Sequence, residues 1–322
     1  MAFINLQSKK LTHTTSISVQ KKPTIFNTFK RDYQLWLMIL PAITCVFIFN
    51  YIPMYGIQLA FREYDFAAGL AGGEWVGLKY FHQFIGSHMF TDLMRNTLVI
   101  SLATIIVGFP APIILALLIN QIRFKRPKRV LQTTVYLPHF ISMVVLVGLL
   151  NVLLSPNTGI VGHFMNAIGL GHINLLASTS TFVPVYVLSD VWQHVGWNSI
   201  IYLAALASVD PQLYDSAKVD GASRWQIIRN VELPAIVPTI IILLILNMGT
   251  IISTGFEKIY LMQNTLNLPV SEVIETYVYK IGIMSNQFSY AAAIGLFNTL
   301  INFSLLVLMN YIAKRTSKIS LW

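Results

Sequence analysis

The sequence predicts an all-α membrane protein of six transmembrane helices, with the N- and C-termini both cytoplasmic. Three observations carry this. The first is composition: of 322 residues, 55% are hydrophobic and only 11% charged, against roughly 25% charged in a soluble domain. So few charges cannot cover a water-facing surface. The second is a set of long charge-free stretches: Tyr33 to Phe61, Asn96 to Ile122, Val130 to Ser189, Val191 to Val209, Leu233 to Phe256 and Ile281 to Ala313. Crossing roughly 30 Å of hydrocarbon takes about 20 apolar residues. The third is where the cations fall.

Spans are expected at about 33–60, 93–121, 131–154, 182–208, 235–257 and 284–313. The stretch from Val130 to Ser189 has room for one span or two. The turn signal Ser155-Pro156-Asn157-Thr158-Gly159 closes one, and the segment after it, with His163, Asn166, His172 and Asn174, suits a surface helix and loop. The fourth span is expected to be broken in its middle by Asp190 and by Val195-Gly196-Trp197. Pro110, Pro112 and Pro138 are expected to bend their helices.

With the N-terminus inside, cytoplasmic Lys and Arg number six in residues 1–32, five in 121–130, three in 209–234 and three in 314–322; outside lie Arg62, Lys79, Arg95, Lys258 and Lys280. That asymmetry obeys the positive-inside rule, and a seventh span at 160–177 would spoil it. The net charge of +9 therefore follows topology and does not point to nucleic acid. Residues 1–32, rich in Ser, Thr and Lys, read as a cytoplasmic tail near anionic headgroups. They lack the apolar core of a cleaved signal peptide. Residues 33–322 form the transmembrane domain.

Catalytic chemistry is missing. There is no G-x-x-x-x-G-K-[ST] loop for ATP, no H-E-x-x-H and no G-x-S-x-G. Cys45 is the single cysteine and lies in an apolar run, which excludes a disulfide within the chain and a Cys-based metal site. The histidines form no spaced ligand pair, and Asp190 is the one acidic residue placed at depth. No enzyme activity, metal or bound cofactor is expected of this chain, so its energy comes from an ion gradient or a partner.

The cytoplasmic loop 209–234 reads VDPQLYDSAKVDGASRWQIIRNVELP. It predicts two short amphipathic helices hinged at Gly221, the first capped by Asp210 with Pro211 at its first position. Such a knob suits a groove in a partner protein, or is an ordinary interfacial loop. The stretch resembles the EAA loop of binding-protein-dependent ABC importers. Asp215, Ser216 and Ala217 stand at the E-A-A positions, Asp220, Gly221 and Ala222 match D-G-A, and Val231, Leu233 and Pro234 match the closing I-x-L-P. Two of the first three positions depart conservatively. Elsewhere in the chain, YIPMYGIQLAF, WVGLKYF, GFPAPIILALLIN, YLPHFIS, LLSPNTGIV, GWNSIIYLAALASVDP, FEKIYLMQN and the terminal LW resemble the oligosaccharide-importer branch of the maltose-transporter type, the lipoprotein-associated permeases.

That resemblance implies a type I ABC importer transmembrane domain whose loop docks in a cleft of an ATPase subunit. It implies as partners a second, homologous permease, two ATPase subunits that hold ATP and Mg, an extracellular sugar-binding protein and an oligosaccharide. The substrates of the branch include plant and algal polysaccharide fragments, among them alginate and pectin-derived oligosaccharides. The location implied is the bacterial cytoplasmic membrane.

Polar groups at membrane depth mark pathways. On span four, Asp190, Trp192, Gln193, His194, Trp197 and Asn198 combine planar faces with hydrogen-bonding groups, as sugar recognition requires. Asp190 and His194, four apart, equally suit a pair that satisfies itself. On span five, Asn247, Thr250, Ser253 and Thr254 share or adjoin one face, or simply bond their own backbone. The outer segments, with Arg62, Glu63, Tyr64, Asp65, Trp75, Tyr80, Glu257, Lys258, Tyr277 and Lys280, offer a docking surface for the binding protein. The rivals are an ABC permease for amino acids or another small solute, an ion-driven secondary transporter and a membrane scaffold.

Overall fold

The computed structural model describes residues 32–67, 69, 73–169, 173–253, 255–317 and 320. The described residues form helices and turns; apart from two isolated bridges, Arg62 with Trp75 and Asp65 with Gly69, they contain no β-pairing. The expected tail over 1–32 lies, but for Asp32, outside them. Two units divide the chain, one ending at Tyr55 and the other starting at Gly56.

In the first unit, α1 (Tyr33–Val46) runs through a π-turn (Phe47–Tyr51) into a single helical turn, Ile52–Met54. No residue of α1 is buried. Its surface of Leu, Ile, Met and Trp needs an apolar solvent, and a continuous helix is the form in which lipid leaves no backbone group unpaired.

The second unit holds α2 (Lys79–Ile85), α3 (His88–Gly108), α4 (Pro110–Asn120), α5 (Lys125–Tyr136), α6 (Met143–Leu153), α7 (Ile160–Ala167) and α8 (Phe182–Ala207). After them come α9 (Pro211–Val219), α10 (Arg224–Ile227), α11 (Leu233–Met248), α12 (Phe256–Met262), α13 (Leu268–Ser271), α14 (Ile274–Tyr279) and α15 (Phe288–Ser317). Among the described residues, four helical runs are long and apolar enough to cross a membrane: Tyr33–Phe61, His88–Asn120, Arg224–Met248 and Phe288–Thr316. A fifth forms only if the bent pair Lys125–Phe140 and Met143–Leu153 counts as one. Pro110 and Pro112 fall in the first turn of α4, where a missing N–H costs nothing.

Three expectations change. The span expected at 131–154 is broken, its halves bent by 99°. Pro138 opens a 3-10 turn (Leu137–Phe140), and Ser142 caps α6 by accepting from the Val145 amide. The helix expected as the fourth span is not broken: α8 is one continuous helix of 26 residues through Asp190 and Gly196, about 39 Å at 1.5 Å per residue. Gln193 and Asp190 find partners on other elements, as described below. The fifth span ends at Met248, nine residues early, and the chain turns before Gly255, at φ +76°, starts α12.

Helix α8 is central, packed against α3, α4, α5 and α11. A Cβ on Gly196 would fall 1.9 Å from the Val135 carbonyl oxygen, so only glycine lets α8 approach α5 this closely. Apolar clusters flank it: Phe182, Tyr186 and Val187 meet Ile100, Val147 and Ile259, and further along Tyr202 and Leu206 meet Ile113, Leu117 and Ile236.

Candidate functional site

Two adjoining cavities open between α3–α4, α8 and α11. One, of about 230 Å³, is lined by Thr104, Gly108, Phe109, Pro112, Asp190, His194, Asn198, Tyr202 and Asn247; the other, of about 210 Å³, by Ser101, Thr104, Tyr186, Asp190, Asn247, Thr250, Ser253 and Gly255. Thr104, Ile105, Asp190 and Asn247 belong to both. Asp190, His194 and Asn198 are spaced by four residues, which stacks them on one face of α8. Ser101 and Thr104 project from α3 with hydroxyl oxygens that are buried and unpaired among the described residues, groups that a bound polyol or water would satisfy.

The expected cluster on α8 divides. Gln193 points away from the cavity and donates its amide to the Ile141 carbonyl at 2.9 Å. Trp197 stacks flat on His139, centroids 4.5 Å apart. Trp192 is half exposed and lines neither cavity. On the α11 side, Asn247 and Thr250 each donate to a backbone carbonyl one turn back, Leu243 at 2.8 Å and Asn247 at 3.3 Å. Ser253 Oγ lies 3.5 Å from Asn302 Nδ2 on α15. Thr250 and Ser253 sit in the turn after the helix, not on its face. Thr254 lies outside the described residues.

Asp190 is held between Lys258 and His194. Lys258 Nζ reaches its Oδ1 at 3.4 Å, donates to the Tyr186 carbonyl at 3.1 Å and lies 4.6 Å over the Tyr186 ring. His194 Nδ1 faces Asp190 Oδ1 at 3.4 Å and the Asp190 carbonyl at 3.1 Å; both are acceptors, so Nδ1 carries the proton and Nε2 is left to act toward the cavity. Lys258 was expected on the outer docking surface, and that expectation is wrong: its side chain is 1% exposed. A lone Lys in FEKIYLMQN gives no local sign of depth, because its partner lies 68 residues away.

At the opposite end of α8, α9 and α10 form the expected pair. Asp210 Oδ1 accepts from the Gln212 amide with Pro211 at the first position. Gly221, at φ +70°, ends α9: the Ala222 amide reaches back to the Ala217 carbonyl and the Gly221 amide to that of Lys218, a turn that requires the left-handed region. Ser223 and Gln226 cap α10 reciprocally. Asp215, Ser216, Asp220 and Gly221 are exposed, Ala217 and Ala222 half buried, and Leu233 and Pro234 open α11. Leu213, Val219 and Trp225 project as bare apolar groups, Val219 88% exposed.

An all-helical lipid-facing bundle with a polar cavity and a structured loop at one end defines a membrane transport subunit. The chain belongs to the family of binding-protein-dependent transport system inner membrane components, whose model matches residues 108–318. It is 41% identical to the polygalacturonan/rhamnogalacturonan transport system permease protein YteP of Bacillus subtilis, over 92% of both chains. It is 40% identical to Protein LplB of the same organism, over 89% of this chain and 90% of that one. In structure it is similar to a chain of the bacterial alginate ABC transporter, solved with its alginate pentasaccharide-bound periplasmic protein, with TM-score 0.84 and 39% identity over 92% of this chain and 99% of that one. The fold is that of a type I ABC permease, a transport component and not an ATPase. Family membership sets aside the ion-driven carrier.

Proposed function

We propose that this chain is the channel-forming permease subunit of an ATP-driven, binding-protein-dependent importer of acidic oligosaccharides released from plant or algal polysaccharide. It crosses the membrane six times: the four apolar runs, the bent pair 125–153 and α8, with both termini cytoplasmic. It pairs with a second, homologous permease and with two ATPase subunits that bind ATP and Mg. An outer sugar-binding protein delivers the substrate. The loop 209–234 docks on an ATPase through Asp215, Ser216, Ala217, Asp220, Gly221 and Ala222, with Leu233 and Pro234 leading into α11.

The observation that carries the reading is the cavity itself. Asp190, His194, Asn198, Asn247 and Thr250, together with Ser101 and Thr104, face the two adjoining cavities between apolar helices. Hydrocarbon gives such groups no partner, whereas a sugar offers hydroxyls throughout. Lys258 balances the Asp190 charge, which leaves the amides, hydroxyls and His194 to meet a substrate carboxylate. YteP and the alginate transporter both have acidic polysaccharides in their names, which supports the substrate class.

The test is ATP hydrolysis by the assembled transporter in liposomes, with its binding protein and a panel of neutral and acidic oligosaccharides. Stimulation by uronic-acid oligomers over neutral ones is expected. Hydrolysis that responds to no sugar would overturn the reading.

A further inference from the structure

At the end of α4 nearest the loop, a second buried carboxylate joins three elements. Glu232, 1% exposed, closes the π-turn Ile228–Glu232 that leads into α11. Asn120 Nδ2 donates to its Oε1 at 2.7 Å, and Gln121 Nε2 donates to both oxygens, at 3.0 and 2.9 Å. The Tyr214 hydroxyl, on α9, donates to the same Oε1 at 3.4 Å. Burial and the Glu232 charge both raise the Tyr214 pKa, so the hydroxyl keeps the proton it donates. From α5, Lys128 Nζ donates to Asn120 Oδ1 at 3.3 Å. The Asn120 amide thus lies between a cation and an anion and is polarised by both.

We propose that Glu232 is a positioning residue that carries movement of the coupling loop into the cavity, through an amide-bridged node of Asn120, Gln121, Tyr214 and Lys128. This inference rests on the proposed docking of the loop and adds the route by which docking reaches substrate. The geometry supports it in two ways. The node ties α9 to the ends of α4 and α11, and these are helices whose other residues, Pro112 on α4 and Leu243 and Asn247 on α11, line the larger cavity. From Asn120 to Pro112 is eight residues, about 12 Å along a helix, a rigid distance over which a tilt is passed on intact. Second, a buried carboxylate whose direct partners are neutral amides and a hydroxyl is costly unless all of them stay in place. Glu232 therefore moves with Asn120 and Gln121, not independently of them.

The experiment measures ATP hydrolysed per sugar imported, in the assembled transporter in liposomes. With Glu232→Ala this ratio is expected to rise about tenfold, the scale set by stripping the shared acceptor from buried donors, while basal hydrolysis and subunit co-purification stay as in the parent. Glu232→Gln keeps one acceptor oxygen and falls between. A merely structural role lowers the number of working complexes and leaves the ratio unchanged, and that result would overturn the inference. Should Glu232→Ala fail to assemble, Tyr214→Phe decides: it removes one hydroxyl, cuts α9 from the node, and raises the ratio if the inference holds. A parent complex deaf to sugar indicts the proposed function instead; the node is then tested by whether Tyr214→Phe quickens amide hydrogen exchange along 112–121, and no change there would overturn it.

Discussion

Asp190, its side chain 23% exposed at the cavities, and Glu232, 1% exposed, are both carboxylates set among helices, and they are neutralised in opposite ways. Asp190 faces a full cation, Lys258, whose ammonium is itself almost wholly buried, with His194 on its other side. Among the described residues Glu232 bonds amides and a hydroxyl, and Lys128 reaches it through Asn120. A charge pair attracts from every direction and falls off slowly, so it holds α8 to α12 strongly without fixing an angle. A fork of amide N–H groups is directional. It fixes how α4 and the loop are turned against each other. The first arrangement suits a wall; the second suits a joint.

The largest effect is expected where a charge is stranded. Lys258→Met leaves Asp190 buried with only His194, and removing one member of a buried pair costs about 3–5 kcal/mol. Thermal unfolding of the purified transporter should show it. Adding Asp190→Leu replaces the pair by apolar groups and should recover most of that loss, yet transport should stay impaired, because Asp190 lines both cavities. Recovery of transport as well would make the pair purely structural.

At Glu232 the stranded groups are neutral. Glu232→Ala should cost about 1–3 kcal/mol of stability, the penalty of unpaired buried donors, and Glu232→Gln less. Equal losses at the two sites would erase the distinction between wall and joint.

The loop also shows which parts of the molecule can be read from sequence. Asp210-Pro211, Gly221 and the break after it act on their own neighbours, so local chemistry predicts α9 and α10. The lipid-facing runs are equally legible, since each must be apolar over its whole length. What escapes is set by distant partners. Asp190 and Val195-Gly196-Trp197 look like a break in a helix, but α8 is continuous: Gln193 bonds Ile141 and Asp190 meets Lys258, 52 and 68 residues away. Pro138 announces a bend and not its 99°. The cavities are half legible: Asp190, His194, Asn198, Asn247, Thr250 and Ser253 line them, while Ser101 and Thr104, ordinary in an apolar helix, give no sign.

A smaller effect tests the joint from the loop side. Ser223 Oγ accepts from the Gln226 amide while Gln226 Oε1 accepts from the Ser223 amide at 2.7 Å. Ser223→Ala removes one half of this box and should cost about 1 kcal/mol, read as faster amide hydrogen exchange across 224–232. If exchange quickens at Glu232 but not near Asp190, the two carboxylates belong to separately moving parts.

The smallest effect on stability falls on Asp215, and that makes it informative. Its side chain is 73% exposed and its partner Lys218, at 2.9 Å, is 65% exposed. Water screens such a pair, and Asp215→Ala should change stability by no more than about 0.5 kcal/mol. A folding explanation for any loss of function is then closed. If the loop docks on an ATPase through this residue, the variant should co-purify with less ATPase while unfolding at the parent's temperature. ATPase retained in full would move the acidic contact to Asp220, the next exposed carboxylate of the loop, and leave Asp215 a solvated surface charge.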